Sequence, residues 1–401
     1  MTPNAIKELA DALRPRYEAA TKDGKRVILD EFCATTGYHR KSAIRLLHRV
    51  SRPAGTKARG RPPVYRGGEL LSRLLLLWEA SGYVCGKYLA PALPELLERL
   101  ERCEALLVDQ DVRQKLREMS GSTAERLLKP YRQRRLAQPH VSDRVASDLS
   151  HKIAVHTFAE LRHLPVGHME MDLVLHCGMS TSDFYLTSLV AVDTVTSWTE
   201  CMAVWGKGKE RVAGAVAKVQ RQLPFPLLGI HSDNGGEFIN DILYQFAQQH
   251  HLLFSHSRPY KKNDQPRVEQ RNGSLVRRLI GYGRYNTRTA YNQLQQVYSL
   301  ACLQANFFRP TAKLLSRERQ GSKVVKRYDD PLTPYHRLLA TAQLTDEQRA
   351  QLQAQYEQLN PLRLQRELAV AIDQLWKLEA VDPTSERAQR LRQAAYDAAR
   401  R

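Results

Sequence analysis

The sequence is short of the features that would place it in a membrane or outside a cell. It has six cysteines, at positions 33, 85, 103, 177, 201 and 302, and no two form a CxxC pair. None groups with the histidines at metal-ligand spacing. A zinc-binding N-terminus is therefore not expected, and the scatter suits reduced thiols in a cytosolic protein. Long apolar runs are missing too. The longest, near Leu74–Leu77, falls far short of the roughly 20 residues a bilayer span needs. Met1 to Leu13 is polar, carries Glu8 and Asp11, and lacks a signal-peptide pattern. Acidic residues are scarce, 42 Asp and Glu against 61 Lys and Arg, for a formal net charge of +19. Such an excess says nothing about fold but selects polyanionic partners, DNA first among them. The expectation is a cytoplasmic, nucleoid-associated protein with no membrane partner. At 401 residues and 42% hydrophobic content, the chain can build two or three domains with buried cores.

Residues 1–52 read as helix, short glycine-containing turn, helix. Val27, Ile28, Leu29 and Phe32 give one apolar face, Thr35-Thr36-Gly37-Tyr38 breaks it, and His39 to Arg49 resumes a helix. The second helix carries Arg40, Lys41, Arg45 and Arg49, with Ile44 and Leu47 on its apolar side. A basic helix after a tight turn suits insertion into the major groove, and no acidic residue occurs from Phe32 to Gly68. The alternative is a plain helical hairpin with a solvated basic face. Residues 53–66 are an Arg/Pro/Gly linker. Its Arg59-Gly60-Arg61-Pro62 resembles the core of an AT-hook, an extended arm whose arginines enter the narrow minor groove. A basic linker that only touches phosphates fits equally well.

Residues 67–137 read as a second helical unit, either DNA-binding or a spacer. Leu70, Leu71, Leu74, Leu75 and Trp78 mark one buried face, and Leu89, Leu93, Leu96, Leu97 and Leu100 another. Ser122 or Thr123 is placed to cap its last helix, which Pro130 should end. Residues 138–162 are a linker. The texture then changes. Met169–Leu175, Phe184–Val192 and Trp198–Val204 read as three strands, Lys209–Leu223 as a helix and Leu227–His231 as a fourth strand. Glu237–His250 follows as a helix, Leu252–Ser255 as a fifth strand, then helices near Pro266–Gly281 and Arg288–Phe307. Residues 163–307 are thus a mixed five-stranded α/β domain with helices on both faces. A basic β segment, residues 308–335, pairs Ala312–Leu315 with Val324–Tyr328 as a hairpin or barrel-like piece. Residues 336–401 are polar helices whose incomplete apolar stripe would serve a partner, a second copy, or the core itself.

Three acids stand out on these elements. Asp172 lies inside the first strand, Asp233 at the end of the fourth, and Glu269 on the helix near Pro266, with 35 residues between the last two. Phosphodiester cleavage needs an activated nucleophile and a stabilised leaving oxygen, and two Mg²⁺ ions about 3.5–4 Å apart can serve both. Mg²⁺ takes hard oxygen ligands and keeps several waters, so a few carboxylates suffice. Asp172 and Asp233 would meet if the first and fourth strands are neighbours. Glu170 shares a strand face with Asp172 and could assist or replace it. Glu237 is expected in the first turn of a helix, where it favours the dipole, and Asp193 in a turn.

The strand order, His231-Ser-Asp-Asn-Gly-Gly-Glu-Phe238, the Asp-x35-Glu interval and the run from Arg258-Pro-Tyr260 to Val268-Glu269-Gln270 resemble the retroviral-integrase superfamily. Within it, they are similar to the transposases of bacterial insertion sequences. The resemblance covers residues 163 to about 305. It implies an RNase H-like core, catalytic and metal-binding roles for Asp172, Asp233 and Glu269, and Mg²⁺ or Mn²⁺ bound as two ions. The missing His/Cys zinc domain favours the bacterial branch. Lys261, Lys262, Arg267 and Arg271 around the approach to Glu269 are expected to bind phosphates. The expected activity is cleavage at the terminal inverted repeats of a mobile element and joining of the freed 3′-hydroxyls to target duplex DNA, by a homo-oligomer. The alternatives are an RNase H-type nuclease that only hydrolyses, and a domesticated DNA-binding regulator with an inert core.

Overall fold

A computed structural model describes residues 2–48, 64–65, 67–132, 154–155, 164–233, 235–257, 265–320 and 323–380. The chain divides into two units, residues 1–64 and 65–401. Arg49, Arg59, Arg61, Lys261 and Lys262 lie outside the described residues, as do most of the 53–66 and 138–162 linkers.

The first unit is three helices: α1 Pro3–Ala19, α2 Lys22–Thr36 and α3 Arg40–Leu47. Thr21 caps α2 by accepting from the Gly24 N–H, and Gly37 ends it at φ 71°. That left-handed backbone favours glycine, and it creates the tight turn read from the sequence. Ile6, Ala10, Tyr17, Ile28, Leu29, Phe32, Ala43 and Leu47 form the core. Arg14 donates to the Leu46 and Leu47 carbonyls and so closes the open end of α3.

In the second unit, α4 Gly68–Ala80, α5 Gly86–Arg102, α6 Gln110–Arg117 and α7 Gly121–Arg132 precede a six-stranded sheet. Ser120, not Ser122 or Thr123, accepts the N–H at the start of α7. Pro130 lies within α7 rather than after it. The strands are β1 Ala154–Val155, β2 His168–Leu175, β3 Thr187–Asp193, β4 Thr199–Val204, β5 Gly229–Ser232 and β6 Leu253–His256, in spatial order β1-β6-β5-β2-β3-β4. β2, β3 and β4 pair antiparallel, while β2, β5, β6 and β1 pair parallel. The five expected strands are therefore present, and β1 adds a sixth at the edge.

Alternation along the strands divides the apolar residues between two layers. Met169, Met171, Leu173, Leu189, Ala191 and Met202 pack with α8 Lys209–Gln222 and α9 Asp241–Gln249. Val174, Val190, Val192, Cys201 and Ala203 pack on the other face with α10 Pro266–Arg271 and α11 Arg288–Leu303. α10 runs on through a π-helical stretch, Asn272–Arg277, into a last turn at Arg278–Ile280. β7 Leu314–Gln320 and β8 Lys323–Tyr328 form a separate two-stranded hairpin, followed by α12 Pro334–Leu339, α13 Asp346–Gln358 and α14 Pro361–Trp376.

The helices of 67–132 do not pack as a body of their own. Leu70 to Leu128 share one core with Leu344, Leu352, Tyr356, Leu362 and Leu364 of the tail. Arg99, 2% exposed, donates to the Leu359 carbonyl at 2.9 Å and to Glu357 at 2.6 Å, reaching across some 260 positions. The apolar stripe of the tail is thus covered by α4, α5 and α11 of the same chain. None of the helices described is long and apolar enough to cross a membrane.

Candidate active site

The parallel register of β2 with β5 sets the geometry. Glu170 pairs with His231 and Met171 with Ser232, so one step further Asp172 and Asp233 stand across from each other. Asp233 follows the last residue of β5 and accepts the Gly235 N–H at 2.9 Å. Glu237 does not begin a helix. Asn240 caps α9 by accepting the Leu243 N–H, and the helix starts at Asp241. Glu237 instead lies in the turn before it and folds back over Gly235, where a side chain at 235 would meet the Glu237 carboxylate at 2.8–2.9 Å.

Asp172 collects unfavourable neighbours. Burial and then the charge of Asp233, with a smaller contribution from Glu237, push its pKa up to about 7, against the Leu173 N–H and Asn272. The Leu173 N–H donates to Asp172 Oδ1 at 2.8 Å, and Asn272 Nδ2 donates to Oδ2 at 2.7 Å. No cationic side chain bonds to it among the described residues. A divalent cation would reverse this situation, because an adjacent positive charge favours the carboxylate.

Glu269 is solvent-exposed on α10, three positions before Asn272, and residues at that spacing share a helix face. Glu269 and Asn272 therefore lie toward one side of the same helical run. No three His, Cys, Asp or Glu side chains among the described residues are close enough to hold an ion as they stand. The donors are nevertheless of the right kind for Mg²⁺ or Mn²⁺: hard carboxylate oxygens, one within a strand, one just past a strand end and one on a helix.

Glu170 points to the same face as Asp172 but has another environment. It is fully buried and accepts from the Arg267 N–H at 3.0 Å, the Val268 N–H at 3.1 Å and Arg267 Nη1 at 2.5 Å. It is bonded into the helix start rather than turned toward Asp233. Asp193 is buried and accepts from the N–H groups of Gly167, Val195 and Thr196 and from the Thr196 hydroxyl, which is the work of a turn.

The cations divide differently from expectation. Arg40, Lys41 and Arg45 are exposed on α3, with Arg40 bonded to Asp30. Arg267 is committed to Glu170. Arg271 is 6% exposed and donates to the Ser197 carbonyl at 3.2 Å. Both sit two positions from Glu269, about 200° around the helix, so they face away from it. Arg271 is a core cation, not a surface for phosphates. The sequence did not single out Asn272. Its signal was available in the three-residue offset from Glu269.

The model of the family described as "Integrase core domain" matches residues 162–262. The "Uncharacterized protein y4rM" of Sinorhizobium fredii is 38% identical over 342 residues, covering 82% of this chain and 94% of that protein. The chain belongs to the integrase core domain family. The matched part of this integrase core holds Asp172, Asp233 and Glu237 and stops before Glu269. The chain is also similar to the catalytic core domain of BIV integrase, at 20% identity and a TM-score of 0.29, over 43% of this chain and 93% of that one.

Proposed function

We propose that this integrase-core protein is a DNA transposase, a polynucleotidyl transferase that cuts at the ends of a mobile element and joins them to target DNA. The observation that carries the reading is Asp172 facing Asp233 across paired strands, with carboxylates for neighbours and, among the described residues, no cation bonded to it. Carboxylates brought together with little cationic support are costly and favour a ligand-binding role. Asp172, Asp233 and Glu269 would hold Mg²⁺ or Mn²⁺. When bound, the metal supplies Lewis-acid polarisation of the phosphate oxygens and a nucleophile at neutral pH.

The chain's own groups do the rest. Asn272 fixes the rotamer of Asp172. The β2–β5 pair holds two carboxylates in register, and α10 carries Glu269, the third ligand of this proposal. Water attacks phosphorus at the element end, the phosphodiester bond breaks, and a 3′-hydroxyl is freed. That hydroxyl then attacks a target phosphodiester, forming one P–O bond as another breaks. Neither step uses a covalent protein intermediate. We propose that the basic α3 helix, the Arg/Pro/Gly linker and the basic hairpin bind duplex DNA, with affinity falling steeply as salt rises, and that two ends are handled by a homo-oligomer.

The test is an end-cleavage and strand-joining assay with Mg²⁺ or Mn²⁺ on DNA carrying the inverted repeats that flank the reading frame. Cut and joined products are expected from the native chain and neither from Asp233→Asn. Cutting without joined products would identify a nuclease, and specific binding without cutting a regulator.

A further inference from the structure

Glu170 and Arg267 stand at matching places. Each lies two residues before a proposed metal-binding acid, Glu170 before Asp172 on β2 and Arg267 before Glu269 on α10. They meet at 2.5 Å across 97 positions of sequence. Glu170 is fully buried and Arg267 half-buried. The same carboxylate also accepts the Arg267 and Val268 N–H groups, at 3.0 and 3.1 Å. These are the second and third residues of α10, whose own flanking residue, Gln265, supplies no side-chain cap. A helix start leaves such N–H groups without partners, and a cap normally comes from the residue just before it. Here a strand supplies it instead.

We propose that Glu170 is a positioning residue: its contacts with Arg267 and the start of α10 latch the helix that carries Glu269 onto the strand that carries Asp172. This rests on the metal-dependent reading above. The latch fixes three degrees of freedom at once. The two N–H bonds set the height of α10 along β2, the guanidinium sets its rotation, and Asn272 on Asp172, at 2.7 Å one turn later, sets its tilt. Without Glu170, the helix would keep its apolar contact through Val268 but lose the polar contacts that fix its height and rotation. Groups that orient metal ligands act through the ligand, and their removal costs about 10- to 100-fold in metal affinity or activity.

The experiment uses the full chain and compares the native protein with Glu170→Gln, Glu170→Asp and Arg267→Gln. Two quantities are read: Mn²⁺ binding, from the electron-paramagnetic-resonance signal of the free ion, and the rate of cutting and joining at saturating DNA. Glu170→Gln is expected to weaken Mn²⁺ binding about 10-fold or more and to slow turnover by a similar factor, with DNA affinity at the native value. Glu170→Asp keeps the charge and should recover part of the loss. Arg267→Gln leaves the two backbone bonds in place and should lose less than Glu170→Gln. Should Glu170→Gln not fold, Arg267→Gln decides. Native Mn²⁺ binding in a folded Glu170→Gln protein overturns the latch. So does a native Arg267→Gln beside an inactive, non-binding Glu170→Gln, because Glu170 would then be a ligand. If the native chain neither cuts nor joins, the functional reading fails, and the Mn²⁺ measurements still decide the latch.

Discussion

Two places on one face of β2, a single pleat apart, hold carboxylates that the fold treats in opposite ways. At Glu170 both oxygens meet donors only, one guanidinium nitrogen and two backbone N–H groups. At Asp172 one backbone N–H, one amide and the unbonded charge of Arg277 are set against Asp233 and Glu237. Burial pushes the Glu170 carboxyl up as well, but the charge set against that burial is a bonded guanidinium, Arg267, and with the two N–H donors this makes Glu170 part of the scaffold. Asp172 feels the Arg277 charge without a bond to it, and among the described residues no cation bonds to it as Arg267 bonds to Glu170. A cation-binding site has this character, whereas a structural acid such as Asp193, which accepts from four donors and faces no carboxylate partner in those bonds, does not.

The comparison is broken most directly at the acids themselves. Asp233→Asn, Asp172→Asn and Glu269→Gln should each lower cutting and joining by about 10²- to 10³-fold, the cost of removing a group that stabilises developing charge. Glu237→Gln, measured beside Glu269→Gln, sharpens the assignment. Glu237 acts on Asp172 in the folded chain, so an equal loss would make it a fourth participant, while a small loss is expected if it only biases Asp172. Asn272→Ala should slow turnover about 10-fold through Asp172, with little change in DNA binding.

Stability should separate the two kinds of acid. Removing the side chain in Asp193→Ala strands several buried donors, each costing roughly 1–3 kcal/mol. Urea unfolding should register a loss of at least about 3 kcal/mol. Asp172→Asn relieves a repulsion, and its unfolding free energy is expected to stay within about 1 kcal/mol of native or to rise.

The smallest effect is in pH. A carboxyl whose folded pKa is raised, here to about 7, favours the fold when protonated. Its contribution is therefore present below the unfolded value of about 4 and is lost as pH rises toward the folded one. A cation binds only the ionised form. The rise in Tm on adding Mg²⁺ should be small well below pH 7 and larger well above it, and thermal unfolding across that range checks the sign.

Much of this arrangement was legible in the sequence. Period-two runs such as Met169–Leu175 gave the strands to within a few residues, and the polar breaks gave the loops. Local pattern failed where the deciding partner was distant or where one residue moved a boundary. Asn240 delayed α9 by four positions, which took Glu237 out of a helix and into a turn over Gly235, from which its charge reaches Asp172. Arg271 looked like a phosphate contact because it is near Glu269 in sequence, yet two helical steps turn it into the core. The tail's apolar stripe did not reveal that α4 and α5, some 260 residues away, would cover it. Glu170 looked like a rival to Asp172 because strand alternation gives a shared face but not the helix start lying over it.

The central claim is that Asp172 and Asp233, facing each other across β2 and β5, are a pair made for a divalent cation. Mn²⁺ binding to the native chain, Asp172→Asn and Asp233→Asn, read from the free-ion resonance above pH 7, tests it most directly. The account predicts binding by the native chain that either substitution abolishes while the fold is retained. Equal Mn²⁺ binding by all three proteins would contradict it.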